Sequence, residues 1–148
     1  MARNYSILGQ DTNTAATTIL GLTSATTIRP RIHYVQAGSD ATADNAAEYN
    51  LQRYTAAGTS TAITPTALDP ADPAALASAG QAHTVEPTYT SNAIVLGIFK
   101  HQRSTFQFWA SPGRELVLPA TAANGVGVQS ITVGGSAYNE GIVIHYEE

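Results

Sequence analysis

Histidine is the side chain best suited to proton or metal chemistry near neutral pH, and the chain carries His33, His83, His101 and His145. A site pre-assembled on one strand or helix face needs ligands at i,i+2 or i,i+4, and no pair of these has that spacing. Only convergence of separate strands would bring two of them together. Asp69 and Asp72 offer two carboxylates three residues apart. A calcium loop needs more oxygens at alternate positions and a Gly to turn the chain. Each Asp here precedes a Pro, which fits a turn followed by a helix cap. Nucleophilic catalysis asks for Ser or Thr beside an oriented base. The hydroxyls have no local His or Asp partner, and Ser111-Pro112-Gly113 lacks the Gly-x-Ser-x-Gly elbow. Gly125-Val126-Gly127 and Gly134-Gly135 are too short and too β-branched in context for phosphate cradles, and read as bends. With no Cys in the chain, disulfides, zinc–thiolate sites and thiol catalysis are excluded. The expectation is a protein with no catalytic residue, no cofactor and no metal site, and therefore not an enzyme.

Phe106, Phe108 and Trp109 are flat surfaces that can stack on a sugar or a base. Alternation places Phe106 and Phe108 toward one core and Trp109 on the opposite face, at a sheet–helix or subunit contact.

Charge narrows the partners. Charged residues make up 12% of the chain, about half the usual share of a soluble domain, and the formal net charge is −4. Thr, Ser, Asn and Gln must carry much of the surface, or part of it must lie against neighbours, and we favour an assembly. Lys100 is the single lysine, and the arginines are scattered. Arg29 and Arg31, around Pro30, suit an edge strand rather than a phosphate clamp, so nucleic acid is not an expected partner. No apolar run approaches the ~20 residues that span a bilayer, so no membrane partner is expected. The segment Met1-Ala2-Arg3-Asn4-Tyr5 lacks the apolar core of a signal peptide, which points to synthesis in the cytoplasm without export by the general route.

The elements that must position these residues are strands. From residue 92 onward, short apolar stretches at 94–100, 105–110, 115–118, 126–133 and 141–146 alternate with Gly, Pro, Asn and Ser breaks. Such punctuation marks an all-β sandwich or barrel. Upstream, 17–22, 28–37 and 59–66 read as strands. Residues 46–55 tolerate a helix, but their aromatic content and the stop at Ala56-Ala57-Gly58 favour a strand. In 28–37, Ile32 and Tyr34 fall on one face, with Arg31, His33 and Val35 on the other. In 46–55, Tyr49, Leu51 and Arg53 share a face. Ile94, Leu96, Phe106, Phe108, Val117, Ile142 and Ile144 are expected to point inward. Residues 73–79 predict one short helix, capped by Asp72, opened by Pro73 and ended by Gly80. At 148 residues one domain suffices. The expected fold is all-β: a jelly-roll-like antiparallel β-sandwich of about eight strands over residues 28–148, with one short helix and an N-terminal arm over residues 1–27. Tyr5, Ile7, Leu8, Ile19 and Leu20 are the arm's apolar side chains. They are the candidate contact residues for a neighbouring subunit, too few to form a core alone but enough to add a strand or fill a groove.

Several phrases in the chain carry a resemblance. They are Gly38-Ser39-Asp40-Ala41-Thr42-Ala43-Asp44-Asn45-Ala46, Gln52-Arg53-Tyr54-Thr55-Ala56-Ala57-Gly58-Thr59, Ala67-Leu68-Asp69-Pro70-Ala71-Asp72 and His83-Thr84-Val85-Glu86-Pro87. The series continues through Gln102-Arg103-Ser104-Thr105-Phe106 and Trp109-Ala110-Ser111-Pro112-Gly113-Arg114-Glu115 to Ile144-His145-Tyr146-Glu147-Glu148. Together they resemble small structural proteins of tailed bacteriophages encoded among head genes, over about residues 28–148. The resemblance implies a setting on the virion, at the capsid exterior after synthesis in the host cytoplasm. It also implies a role, as an often trimeric decoration or cement protein that binds the major capsid protein and itself. The low charge content, with apolar residues on both faces of several strands, points to a homotrimer, with a dimer next. The alternative is a host-surface glycan recognition module of a fibre, spike or head appendage. A stacked, exposed patch of Trp109 or of Tyr34, Tyr49, Tyr54 and Tyr138 would favour the alternative.

Overall fold

Alternation of buried and exposed side chains sets the sheets, as in Tyr5, Ile7 and Gly9 facing in while Leu8 and Gln10 face out. The computed structural model describes residues 2–13, 16–135 and 137–148. Its strands are β1 (Asn4–Thr12), β2 (Thr18–Thr23), β3 (Arg31–Ser39), β4 (Ala46–Ala56), β5 (Thr59–Ile63), β6 (Thr66–Ala67), β7 (Ser78–Val85), β8 (Thr88–His101), β9 (Phe106–Trp109), β10 (Leu116–Val117), β11 (Gly125–Val133) and β12 (Asn139–Glu147). One sheet runs β10-β3-β12-β1-β6, with β9 also on β3, and the other runs β5-β7-β2-β11-β4-β8. All pairings are antiparallel, and the sheets pack face to face as a β-sandwich, the architecture expected from the turn spacing. Between them lie Tyr5, Ile7, Ile32, Val35, Ile142 and Ile144 of the first sheet against Leu20, Leu22, Leu51, Ile98, Val126 and Val128 of the second. Among the described residues no two consecutive strands pair with each other.

The short helix does not form, and residues 73–79 run without helix into β7. Ala77 and Ala79 are buried in the core, and Ser78 and Ala79 pair with Thr23 and Leu22 of β2. The Glu148 carboxylate accepts hydrogen bonds from the backbone N–H groups of Leu76 and Ala77 at 3.0 and 2.8 Å, and Tyr5 Oη donates to Pro73 O at 3.0 Å. A strand with tertiary partners outweighs less than three turns of helix propensity. Only the turn half of the reading holds: Asp69 Oδ1 accepts from Ala71 N–H, and Asp69 O accepts from Asp72 N–H.

The described part of residues 1–27, expected as an arm, instead supplies two strands. The strand β1 lies between β12 and β6, and β2 lies between β7 and β11, so both are interior strands of their sheets.

Two register shifts move side chains across a sheet. His33 is the extra residue of β3, where Tyr34 opposes His145 but Ile32 opposes Tyr146. This bulge turns Ile32 and Val35 both to the core and sends Tyr34 outward, instead of keeping Ile32 and Tyr34 together. In β8 the register slips between Leu51 and Gln52, so Val95 and Leu96 both pack on the core and Ile94 faces out.

Candidate functional site

Of the residues expected to contact a neighbour, Tyr5, Ile7, Ile19 and Leu20 are buried in the chain's own core. Burial in place of protrusion follows from their strands' interior positions, and it leaves them no surface to offer. Leu8 alone is open, 53% exposed on the outer face of the first sheet beside Val143.

That outer face carries an aromatic row. Register places Trp109 of β9, Tyr34 of β3, His145 of β12 and Ser6 of β1 side by side across four strands. The Tyr34 ring lies 4.1 Å from Trp109 and 4.9 Å from His145, centroid to centroid, and His33 lies 6.2 Å from His145. Trp109 is 65% exposed, whereas Tyr34 is buried beneath its neighbours and donates its hydroxyl to Gln36 Oε1. Phe106 and Phe108 pack toward the core from the same strand, so the expected division of faces holds. Burial, and to a lesser degree the neighbouring His33, hold His145 below the usual histidine range. Next to the row an open depression of about 460 Å³ is flanked by Leu8, Gln10, Gln36, Thr105, Asn139 and Val143. A flat indole edged by amides and imidazoles can stack on a ring and hydrogen-bond its hydroxyls.

A second cluster is buried at one end of the sandwich. Lys100 Nζ lies 3.1 Å from Glu140 Oε2, with the two side chains 2% and 0% exposed. Tyr49 Oη donates to Glu140 Oε2 at 2.9 Å and lies 2.7 Å from Tyr138 Oη. Asn13 Nδ2 donates to both hydroxyls, at 2.6 and 2.5 Å. Lys100 Nζ also donates to the carbonyls of Gln102 and Ser104 at 3.4 Å, and stands 5.7 Å from the Tyr49 ring centre. Burial drives the Glu140 carboxyl up, with Lys100 pulling the other way, and burial beside Tyr138 and Glu140 drives the Tyr49 phenol far up. Asn13 Oδ1 and Glu140 Oε1 are buried without a hydrogen-bond partner among the described residues.

Composition reading treats Lys100 as one lone cation, yet phase identifies it. In β8, Ile98, Lys100 and then Gln102 follow the inward alternation, and in β12, Glu140 is in phase with Ile142, Ile144 and Tyr146. A charge at an inward position of each of two strands is a readable signal of a buried pair. Of the histidines, His33 lies near His145, and among the described residues no three His, Cys, Asp or Glu side chains are placed to hold an ion.

On the outer face of the second sheet, Thr18 Oγ1 donates to Glu86 Oε2 at 2.5 Å and meets Tyr89 Oη at 2.6 Å, while Thr23 Oγ1 meets Tyr54 Oη at 2.6 Å. Glycine is required beneath them, because a Cβ on Gly125 would stand 2.5 Å from the Tyr54 hydroxyl. Comparison with protein-family models, with curated proteins and with solved structures finds no match.

Proposed function

We propose that this protein is a non-enzymatic structural protein of a bacteriophage virion, a decoration or cement protein on the outside of the head. One observation carries the reading: β8 is a fourteen-residue strand at the free edge of its sheet, with Phe99 70% and Ile94 50% exposed. A long edge with open N–H and C=O groups and apolar flanks is a surface for another chain to pair with. The 12% charge content supports the same reading, because little of the exterior is defended by ions. The major capsid protein and further copies of this chain are the partners, with a homotrimer as the assembly. With Tyr5, Ile7, Ile19 and Leu20 committed to the core, attachment falls to the sheet edges and outer faces. Many weak contacts repeated by symmetry then hold capsomers together.

The test compares particles with and without the protein under heat and osmotic shock. Particles that carry it should stay closed longer, and the Phe99→Asp variant should fail to decorate them. Equal robustness combined with loss of adsorption to cells sinks the cement reading. That outcome belongs to the second reading, host-glycan recognition, which the Trp109–Tyr34 row favours. Under it, Trp109→Ala abolishes binding to host-surface polysaccharide and leaves particle robustness intact.

A further inference from the structure

The Lys100 cluster combines an amine, a carboxamide and a carboxyl group in a site closed to water. A buried ion pair is costly to desolvate and is weak support for a fold, so the burial of the chain's one lysine calls for another account. We infer that Lys100 and Asn13 become joined by an intramolecular amide bond, formed by the chain itself with Glu140 carrying the protons.

The contacts run in sequence from acyl donor to nucleophile. Asn13 Nδ2 lies 2.6 Å from Tyr49 Oη, Tyr49 Oη lies 2.9 Å from Glu140 Oε2, and Glu140 Oε2 lies 3.1 Å from Lys100 Nζ. In a site of low dielectric the ion pair relaxes toward its neutral form, with one proton passing from Nζ to the Glu140 carboxylate. The neutral amine is the nucleophile. Among the described residues Asn13 Oδ1 has no hydrogen-bond partner, so none of them opposes on that side a swing of the carboxamide toward Nζ. The Nζ–Cγ bond forms and the Cγ–Nδ2 bond breaks. Glu140 takes a proton from Nζ and returns one to Nδ2, which leaves as ammonia. In sum, an ammonium, a carboxylate and a carboxamide become a secondary amide, a carboxylic acid and ammonia, with no oxidant and no cofactor.

Two features of the site fit this outcome. The nitrogen that must leave already rests against the Tyr49 and Tyr138 hydroxyls, and Tyr138 also lines an open cleft of about 330 Å³ with Thr12 and Asn139. The product also satisfies both orphan atoms, because neutral Glu140 can donate its O–H to the carbonyl oxygen of Asn13. The bond would tie the residue that follows β1, in the first sheet, to the end of β8, the edge strand of the second. It is independent of what the outer faces bind.

Denaturing intact-mass measurement of the full chain tests this, on protein first shown to be folded by its circular dichroism. The expected mass is that of the sequence less one ammonia. Trypsin should leave Lys100 uncleaved and yield a branched peptide that joins the Asn13 segment to the Lys100 segment. Asn13→Ala and Glu140→Gln should each restore the full sequence mass, and Asn13→Ala keeps the ion pair should Glu140→Gln fail to fold. A folded wild type at full sequence mass overturns the bond. So does ammonia loss without a branched peptide, the signature of ring closure at Asn124-Gly125. Loss of one water with a branch at Glu140 overturns Asn13 as the acyl donor.

Discussion

Replacing Lys100 by Met keeps most of the side chain's length and its unbranched shape but removes its charge, which strands the Glu140 carboxyl in the core. In the native chain that carboxyl has Lys100 at 3.1 Å and the Tyr49 hydroxyl at 2.9 Å, with no exposed surface. Removing one partner of such a pair costs about 3–5 kcal/mol, about a fifth or more of the roughly 5–15 kcal/mol that stabilises an ordinary domain. The stranded group can escape the cost only by binding a proton. Burial already raises the Glu140 pKa, and losing Lys100 raises it further. The folded state then holds a proton that the unfolded state releases above about pH 4.3, so stability is retained below that pH and lost as pH rises through the folded value. Across that window the variant's unfolding free energy should fall by up to about 1.4 kcal/mol per pH unit. Urea denaturation from pH 4 to 8 measures it, with the double variant Lys100→Met, Glu140→Met as reference. The double variant also lacks the amine, so the difference between the two isolates the stranded carboxyl from anything else the lysine does. The double variant should lie above the single at pH 8 and meet it at low pH. A single-variant deficit that is flat with pH, or smaller than about 0.5 kcal/mol at pH 8, would refute the reasoning.

Three further outcomes follow from the packing. Ile7→Ala should cost about 2–5 kcal/mol by denaturant melts, and deletion of residues 2–22 should abolish the β-type circular dichroism, because both remove interior strand contacts. Burial pushes the Tyr54 phenol up to about 12 from 10.0, and Tyr89 and Tyr146 higher still, so these rings stabilise the fold below pH 10, and that contribution is lost progressively above pH 10, through about 12 for Tyr54 and later for the other two. Phenolate absorbance should therefore rise together with the loss of the fold, and a smooth titration of all the tyrosines around pH 10 in folded protein would contradict their burial. Refolding monitored by Trp109 fluorescence after dilution from urea should be slow, on the scale of milliseconds to seconds, because no consecutive strands pair among the described residues and loop closure precedes their sheet contacts.

The legible part of the fold was punctuation and alternation. Tyr49 and Leu51 of β4 and Ile142 and Ile144 of β12 face the core as their spacing requires, and Ala46–Ala56 is a strand. The N-terminal segment escaped because Tyr5 and Ile7 stand among small polar residues, and two apolar side chains on one face look like scatter until strands on both sides cover them. Residues 73–79 escaped because Ala, the best helix former, is also small enough for a close-packed strand, and the choice lay with β2 and Glu148, both distant in sequence. The outward turns of Tyr34 and Ile94 come from bulges, which leave no mark in a period-two pattern. For the same reason the Trp109–Tyr34–His145 row was visible only as separate residues. The Lys100–Glu140 pair was in phase all along, but a count of charges does not say which two strands bring them together.

The central claim is that this sandwich covers the outside of a phage head, and an electron cryomicroscopy map of intact particles tests it most directly. The account predicts repeated sandwich-sized density on the outer capsid surface at junctions between capsomers, with the β8 edge and the faces bearing Phe99 and Trp109 turned toward neighbouring chains. Density for the protein only at fibre or tail tips, with Trp109 facing solvent, would contradict it.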